Sequence, residues 1–298
     1  MPRVIFGAIT LVGAAIAANA VAHSADQNWQ HCTGENTDLR ISACTAIIQS
    51  KEEVPENLAI AFYDRGNAYE ANHQYDAAIK DYDEAIKLRP EFSEAFDNRG
   101  NAYYFERKYE RAISDYSEAI RIKPDYAKTF NNRGVTYHDE GRYDLAIQDY
   151  DRAIKLEPSF AEAFNNRGLA YEAKGEHDRA IQDYDQAIRL NPNIALVFDD
   201  RGIAYRHKGQ FDRAIQNFDR AIEIKPDYSF AFYNRGLAYE GKGDYDRAIE
   251  DYNQAIKLKP DYADAFYQRG IAERAQGKAA AGARDIDTAK HLDPKIGK

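Results

Sequence analysis

At 298 residues the chain is long for one globular core, a limit that a stack of small units escapes by burying its core one unit at a time. Its net charge of −9 argues against nucleic-acid binding, because neutralising phosphates needs clustered Lys and Arg. Twenty-two tyrosines beside one methionine and one tryptophan point to a repeated packing element rather than a varied core.

Residues 1–22 differ from all that follow. Arg3 supplies a positive start, Val4 to Ala18 an apolar run rich in Ala, and Ala18-Asn19-Ala20 or Ala20-Val21-Ala22 small residues for cleavage. This is the pattern of a secretory signal peptide. The alternative, an uncleaved anchor, needs about 20 strongly apolar residues, and no cysteine at the cleavage point provides for a lipid. The only cysteines, Cys32 and Cys44, follow closely, and an isolated even pair in an exported chain reads as a disulfide. A metal pair helped by His31 would lack further ligands, and free thiols are the other alternative. Asp38 to Gln49 has the stripe of a lone second helix, with Cys44 at an aromatic position. Residues 23–58 are therefore expected to form an N-terminal cap, whose disulfide pins an extended segment including Trp29.

From residue 59 to 298 one period rules. Arg-Gly recurs every 34 residues, from Arg65-Gly66 to Arg269-Gly270, and a proline keeps the same step from Pro90 to Pro294. Such a period marks stacked copies of one supersecondary unit. In the copy starting at Ala127, counted as position 1, Phe130, Gly134 and Tyr137 (positions 4, 8 and 11) form one helical stripe. Ala146, Tyr150 and Ala153 (positions 20, 24 and 27) form a second. Gly141 makes the turn, Asp144 complements the second helix's dipole, Pro158 ends it, and Ser159 with Glu162 reads as a capping box for the next helix. Small residues at 8, 20 and 27 alternate with large ones at 4, 11 and 24, so the tyrosine rows read as core rather than as a ligand ladder.

At these positions the chain resembles the tetratricopeptide repeat family. The match is full in the copies starting at 59, 93, 127, 161, 195 and 229. The copy starting at 263 departs at Glu273, Gly282 and Ile286, as a C-terminal cap would. The resemblance implies an all-α, right-handed α-solenoid of about seven helix-turn-helix units, of a bacterial exported type with Asn-Arg-Gly repeats. The family's Leu at position 7 is Arg in every copy. Each such Arg is expected to pair with a position-23 carboxylate: Arg99 with Asp115, Arg133 with Asp149, Arg167 with Asp183. Asn217 leaves Arg201 the weakest partner. A row of groove-facing arginines is the alternative.

Signs of catalysis are missing: no nucleophile elbow, no phosphate loop, and seven histidines that are scattered in sequence. No catalytic residue, metal site or cofactor is expected, and no clustered departure from the repeat is visible. The resemblance implies instead a concave groove lined by first helices. There Asn98, Asn132, Asn166 and Asn234, with Asp64 and Asp200 at the same position 6, offer a row of amides for an extended backbone. That row is similar to the asparagine ladder in the tetratricopeptide region of the O-linked N-acetylglucosamine transferase, without its transferase domain. A structural role for these asparagines stays open. Tyr104, Phe105 and Tyr233 are non-repeating aromatics on the same face, whose summed charge is acidic. The expected function is a non-catalytic scaffold in a Gram-negative periplasm. It would hold a protein segment of basic or neutral character, with neither nucleic acid nor membrane insertion after cleavage. The alternative is an envelope assembly component acting through its ends or convex face.

Overall fold

The computed structural model describes residues 27–50 and 53–297, so the leader assigned to residues 1–22 lies outside the described residues. These contain sixteen α-helices and no strand, and no helix among them is long and apolar enough to cross a membrane. Two compact units divide the chain after Pro158.

In the first unit, α1 (Gln27–Cys32) and α2 (Thr37–Ser50) precede three helix pairs: α3 (Pro55–Ala71) with α4 (Tyr75–Leu88), α5 (Ser93–Phe105) with α6 (Tyr109–Ile122), and α7 (Ala127–Asp139) with α8 (Tyr143–Leu156). The second unit holds four pairs: α9 (Ala161–Ala173) with α10 (His177–Leu190), α11 (Ala195–His207) with α12 (Phe211–Ile224), α13 (Ser229–Gly241) with α14 (Tyr245–Leu258), and α15 (Ala263–Ala275) with α16 (Ala279–Leu292).

Each boundary has a local cause. The residue before the repeat proline is forced out of the helical region, and Arg89, ahead of Pro90, sits at φ −134° and ψ 87°. The turn inside a repeat needs positive φ, which Gly141 takes at +74° and Gly243 at +77°. His73 and Arg107 hold that place in the first two repeats at φ 58° and 59°, a conformation costing a side chain roughly 1–2 kcal/mol. The expected capping box does not form: the N-cap of α9 is Phe160, without a side-chain capping bond. An aromatic or aliphatic residue fills this place in every repeat, and where Phe92 and Tyr262 occupy it the ring is buried.

Inside each repeat the two helices meet at a glycine. A Cβ on Gly134 would lie 2.7 Å from the ring of Tyr150, and one on Gly202 2.6 Å from Phe218, so only glycine admits the position-24 ring. The last repeat replaces that ring by Ile286 and adds Gly282, bringing α15 and α16 together backbone to backbone: a Cβ on Gly282 would meet the Gly270 carbonyl at 2.4 Å.

The N-terminal segment is helical where an extended run was expected. Trp29 lies on α1, buried, with its indole N–H donating to Glu53 at 2.9 Å. Six residues make a short helix, and the Cys32–Cys44 disulfide fastens its last residue to α2. Buried Arg40 donates to the Cys32 carbonyl and to Asp64 on α3. Replacing both cysteines with serine is expected to cost the cap about 3 kcal/mol through the freed loop entropy. As Trp29 is the sole tryptophan, its fluorescence during guanidinium unfolding measures that loss directly.

Candidate interaction face

Within each unit, successive first helices approach one another while successive second helices do not, so the first helices form the inner face. The position-7 arginines do not stand in it as free cations. Arg133 Nε and Nη2 donate to the two oxygens of Asp149 at 2.8 Å each, and Arg99 makes the same fork to Asp115 at 2.7 Å. Arg167 meets Asp183 at 2.8 and 2.6 Å, whereas Arg201 has one bond to Asn217 at 2.7 Å. Each guanidinium also lies over the position-4 phenylalanine, at 5.9 Å for Arg133 and Phe130. The third nitrogen reaches the preceding repeat at position 25: Arg99 to Asp83 at 2.5 Å, Arg133 to Ser117 at 2.9 Å, Arg235 to Asp219 at 2.6 Å. Arg65 donates in the same way to Thr45 on α2, which marks α2 as the second helix of a half repeat.

The position-6 side chains do not form an open ladder. Asn132, Asn166, Asn234 and Asp200 are buried, at 2, 1, 5 and 2% exposure. Three of the position-6 amides bond to the preceding first helix: Asn98 donates to Asn67 at 2.7 Å, Asn132 to Asn101 at 3.2 Å, and Asn234 to Asp199 at 2.9 Å. Tyr82 and Tyr116 close the network from below by donating to Asn67 and Asn101. An amide buried in this way joins repeats and leaves little surface for a partner's backbone. Asp64 is committed to Arg40 at 3.2 Å.

Burial also thins the acidic character of the face. Desolvation pushes the Glu70 carboxyl up to about 7 against the hydrogen bond from Tyr82, and Asp64 up to about 6 against Arg40. The folded state thus holds protons that the unfolded chain, with ordinary carboxyls, releases at lower pH. Stability of the first unit is therefore expected to rise as pH falls from about 8 to 5. Glu70→Gln should flatten that rise when melting temperature is followed against pH.

The variable aromatics do reach the surface. Phe105 is 42% exposed, stacked on Tyr75 with centroids 5.1 Å apart, and edge-on to Tyr104 at 5.6 Å. The Tyr104 hydroxyl donates to Asp139 at 2.5 Å. In the second unit, Tyr233 packs half-buried against Tyr252 and Tyr262, and exposed Phe230 meets Tyr262 at 5.4 Å.

Two histidines that looked scattered come together. His177 and His207 lie 5.3 Å apart, both against Glu172. Thirty residues separate them in sequence, yet repeat geometry sets position 17 of one copy against position 13 of the next. The signal was present: position 17 is aromatic in every other repeat except the last.

Residues 107–141, 136–175 and 202–243 match the family model described as TPR repeat, and residues 59–92, 161–194 and 229–262 that described as tetratricopeptide repeat. Together these spans take in more than half of the chain. The chain belongs to the tetratricopeptide repeat family. Among solved structures, this tetratricopeptide repeat chain is similar to MamA, with 29% identity and a TM-score of 0.51 over 58% of this chain and 94% of that one. It is similar to YrrB, described as a TPR protein with an unusual peptide-binding site: 25% identity, TM-score 0.52, 64% of this chain and 96% of that one. A tetratricopeptide repeat protein from Parabacteroides merdae shares the fold, at 16% identity and TM-score 0.63 over 86% of this chain and 96% of its own. No curated protein matches the chain.

Proposed function

We propose that the protein is an exported, non-catalytic scaffold that holds an extended or helical segment of another protein against its first helices. Phe105 carries this reading. A large ring stacked on a second ring, left open to solvent at a position where other repeats carry Ala, Asp, His or Gly, offers apolar contact at low entropic cost. The constant side chains around it are spent on holding repeats together, so the variable ones are left to discriminate between partners. Since much of the carboxylate on the face is buried or bonded, the partner segment is apolar with neutral or basic residues. The similarity to YrrB, whose description names a peptide-binding site, supports a peptide-type ligand.

Export rests on the leader pattern of residues 1–22, and the buried Cys32–Cys44 disulfide supports it, since such bonds persist in oxidising compartments. The Gram-negative periplasm is the compartment that fits both. Sequencing the N-terminus of protein from a periplasmic fraction should give a start at Val21 or His23.

Random peptides displayed on phage and selected on the wild-type protein test the face. Phe105→Ala is expected to lose most of the enriched peptides while its circular dichroism stays unchanged. Undiminished binding to that variant would place recognition elsewhere.

A further inference from the structure

At three junctions inside the two units, position 17 of one repeat packs against position 13 of the next, at the rim where a second helix begins and the following first helix ends. In the first repeat this junction is the Tyr75–Phe105 stack, and in the fifth Phe211 lies against Gly241, where a Cβ would meet the ring at 2.5 Å. Between the fourth and fifth repeats it is His177, first residue of α10, against His207, last residue of α11. Glu172, on the last turn of α9, stands between them. One of its oxygens lies 2.9 Å from His177 Nδ1, and the other is in short contact with His207 Nδ1. The same glutamate in other repeats is used differently: Glu70 and Glu240 each accept from the tyrosine of their own repeat at 2.7 Å. The fourth junction thus departs from the repeat at two adjoining positions and redirects a third residue towards them.

We propose that Glu172, His177 and His207 bind a divalent transition metal of the zinc class. Their three ligand atoms lie within 4.8 Å of one another. Zinc bonds of about 2.0–2.2 Å to N and O would set such atoms roughly 3.3 Å apart, which small side-chain rotations reach. Two imidazoles favour zinc, nickel or copper over magnesium and calcium, which prefer all-oxygen cages. Glu172 is mostly shielded while His207 is 40% exposed in its side chain, so the open side leaves a fourth position for water.

Arg206 opposes the metal. Its Nη2 lies 3.2 Å from His207 Nε2. Once Nδ1 ligates a metal, Nε2 carries a proton and no longer accepts from Arg206, which must turn away. The other cations nearby are already paired, Lys208 with Asp178 and Lys174 with Glu176.

The site is tested on the tag-free, full mature chain by titration calorimetry with zinc chloride at pH 7.5 and 5.0, and by the visible spectrum of the cobalt(II) form. One zinc per chain is expected. Binding should weaken at least tenfold at pH 5.0, because protons compete with a metal for its nitrogen ligands, and a four-coordinate cobalt band should appear. The variants follow the chain's own repeats and so keep the fold: His177→Tyr copies Tyr75 and Tyr245, and His207→Ala copies Ala71 and Ala173. Each should weaken zinc at least tenfold, and Arg206→Gln should tighten it several-fold. No uptake by the wild type, or uptake unchanged in the His177→Tyr/His207→Ala double variant, overturns the proposal.

Discussion

Tyr150→Ala is expected to remove about 4 kcal/mol from the first unit, because it opens a ring-sized cavity between α7 and α8. The ring is fully buried against Gly134, and no neighbouring side chain on the glycine side can grow to fill the space. Tyr150→Phe is expected to behave in the opposite way. Tyr82 and Tyr116 donate to asparagines at position 9, but that position beside Tyr150 is Val135, and the buried hydroxyl has no hydrogen-bond partner among the described residues. In the fifth repeat, where position 9 is Ile203, the chain itself carries Phe218. Removing the hydroxyl should therefore leave stability unchanged or raise it by about 1 kcal/mol. Urea unfolding followed by circular dichroism separates the outcomes, and equal losses in Tyr150→Phe and Tyr116→Phe would contradict this account.

Asp149→Ala carries the second large effect. It strips Arg133 of both bonds in its fork and leaves a guanidinium in a mostly buried setting, at a cost of about 3 kcal/mol. Asp149→Asn should cost less than half as much, since Arg201 is served by Asn217 in a natural copy of the same arrangement. Adding Arg133→Leu to Asp149→Ala should recover most of the loss, because an apolar side chain at position 7 needs no partner. Because each repeat touches only its neighbours, hydrogen exchange should show protection falling in α7, α8 and the adjoining α6, and holding in α3 and α4. Uniform loss across the first unit would show that the unit opens as a whole.

The packing was legible in the sequence because it repeats. The Gly134–Tyr150 contact and the Arg133–Asp149 fork recur at fixed steps, and one copy explains most of the others, Asn217 and Ile286 being the departures. Position 25 was equally periodic, as Asp83, Ser117, Asp185, Asp219 and Asn253, yet its role as the arginine's second partner went unread. A bond between repeats is not visible in a count made within one. The fate of the asparagines was hidden for a related reason: a polar residue on an inner face is exposed only if the next helix stands far enough away. Asn132 and Asn234 show that here it does not. The Glu172–His177–His207 cluster escaped because its members are 5 and 30 residues apart, spacings that mean nothing without the geometry of the stack.

The arginine's reach into the preceding copy has a consequence for how such a chain can change length. Within each unit the arginine's bond to the preceding copy joins position 7 to position 25, so excising residues 93–126 would set Arg133 opposite Asp83, the partner Arg99 now holds. Whole 34-residue units are thus interchangeable parts, and the number of copies can drift by duplication or deletion without disturbing the joints. The junction of His177 and His207 is the exception. Its two halves belong to different copies, and losing either would erase it, so a lineage that uses it is bound to keep those two repeats adjacent and in order.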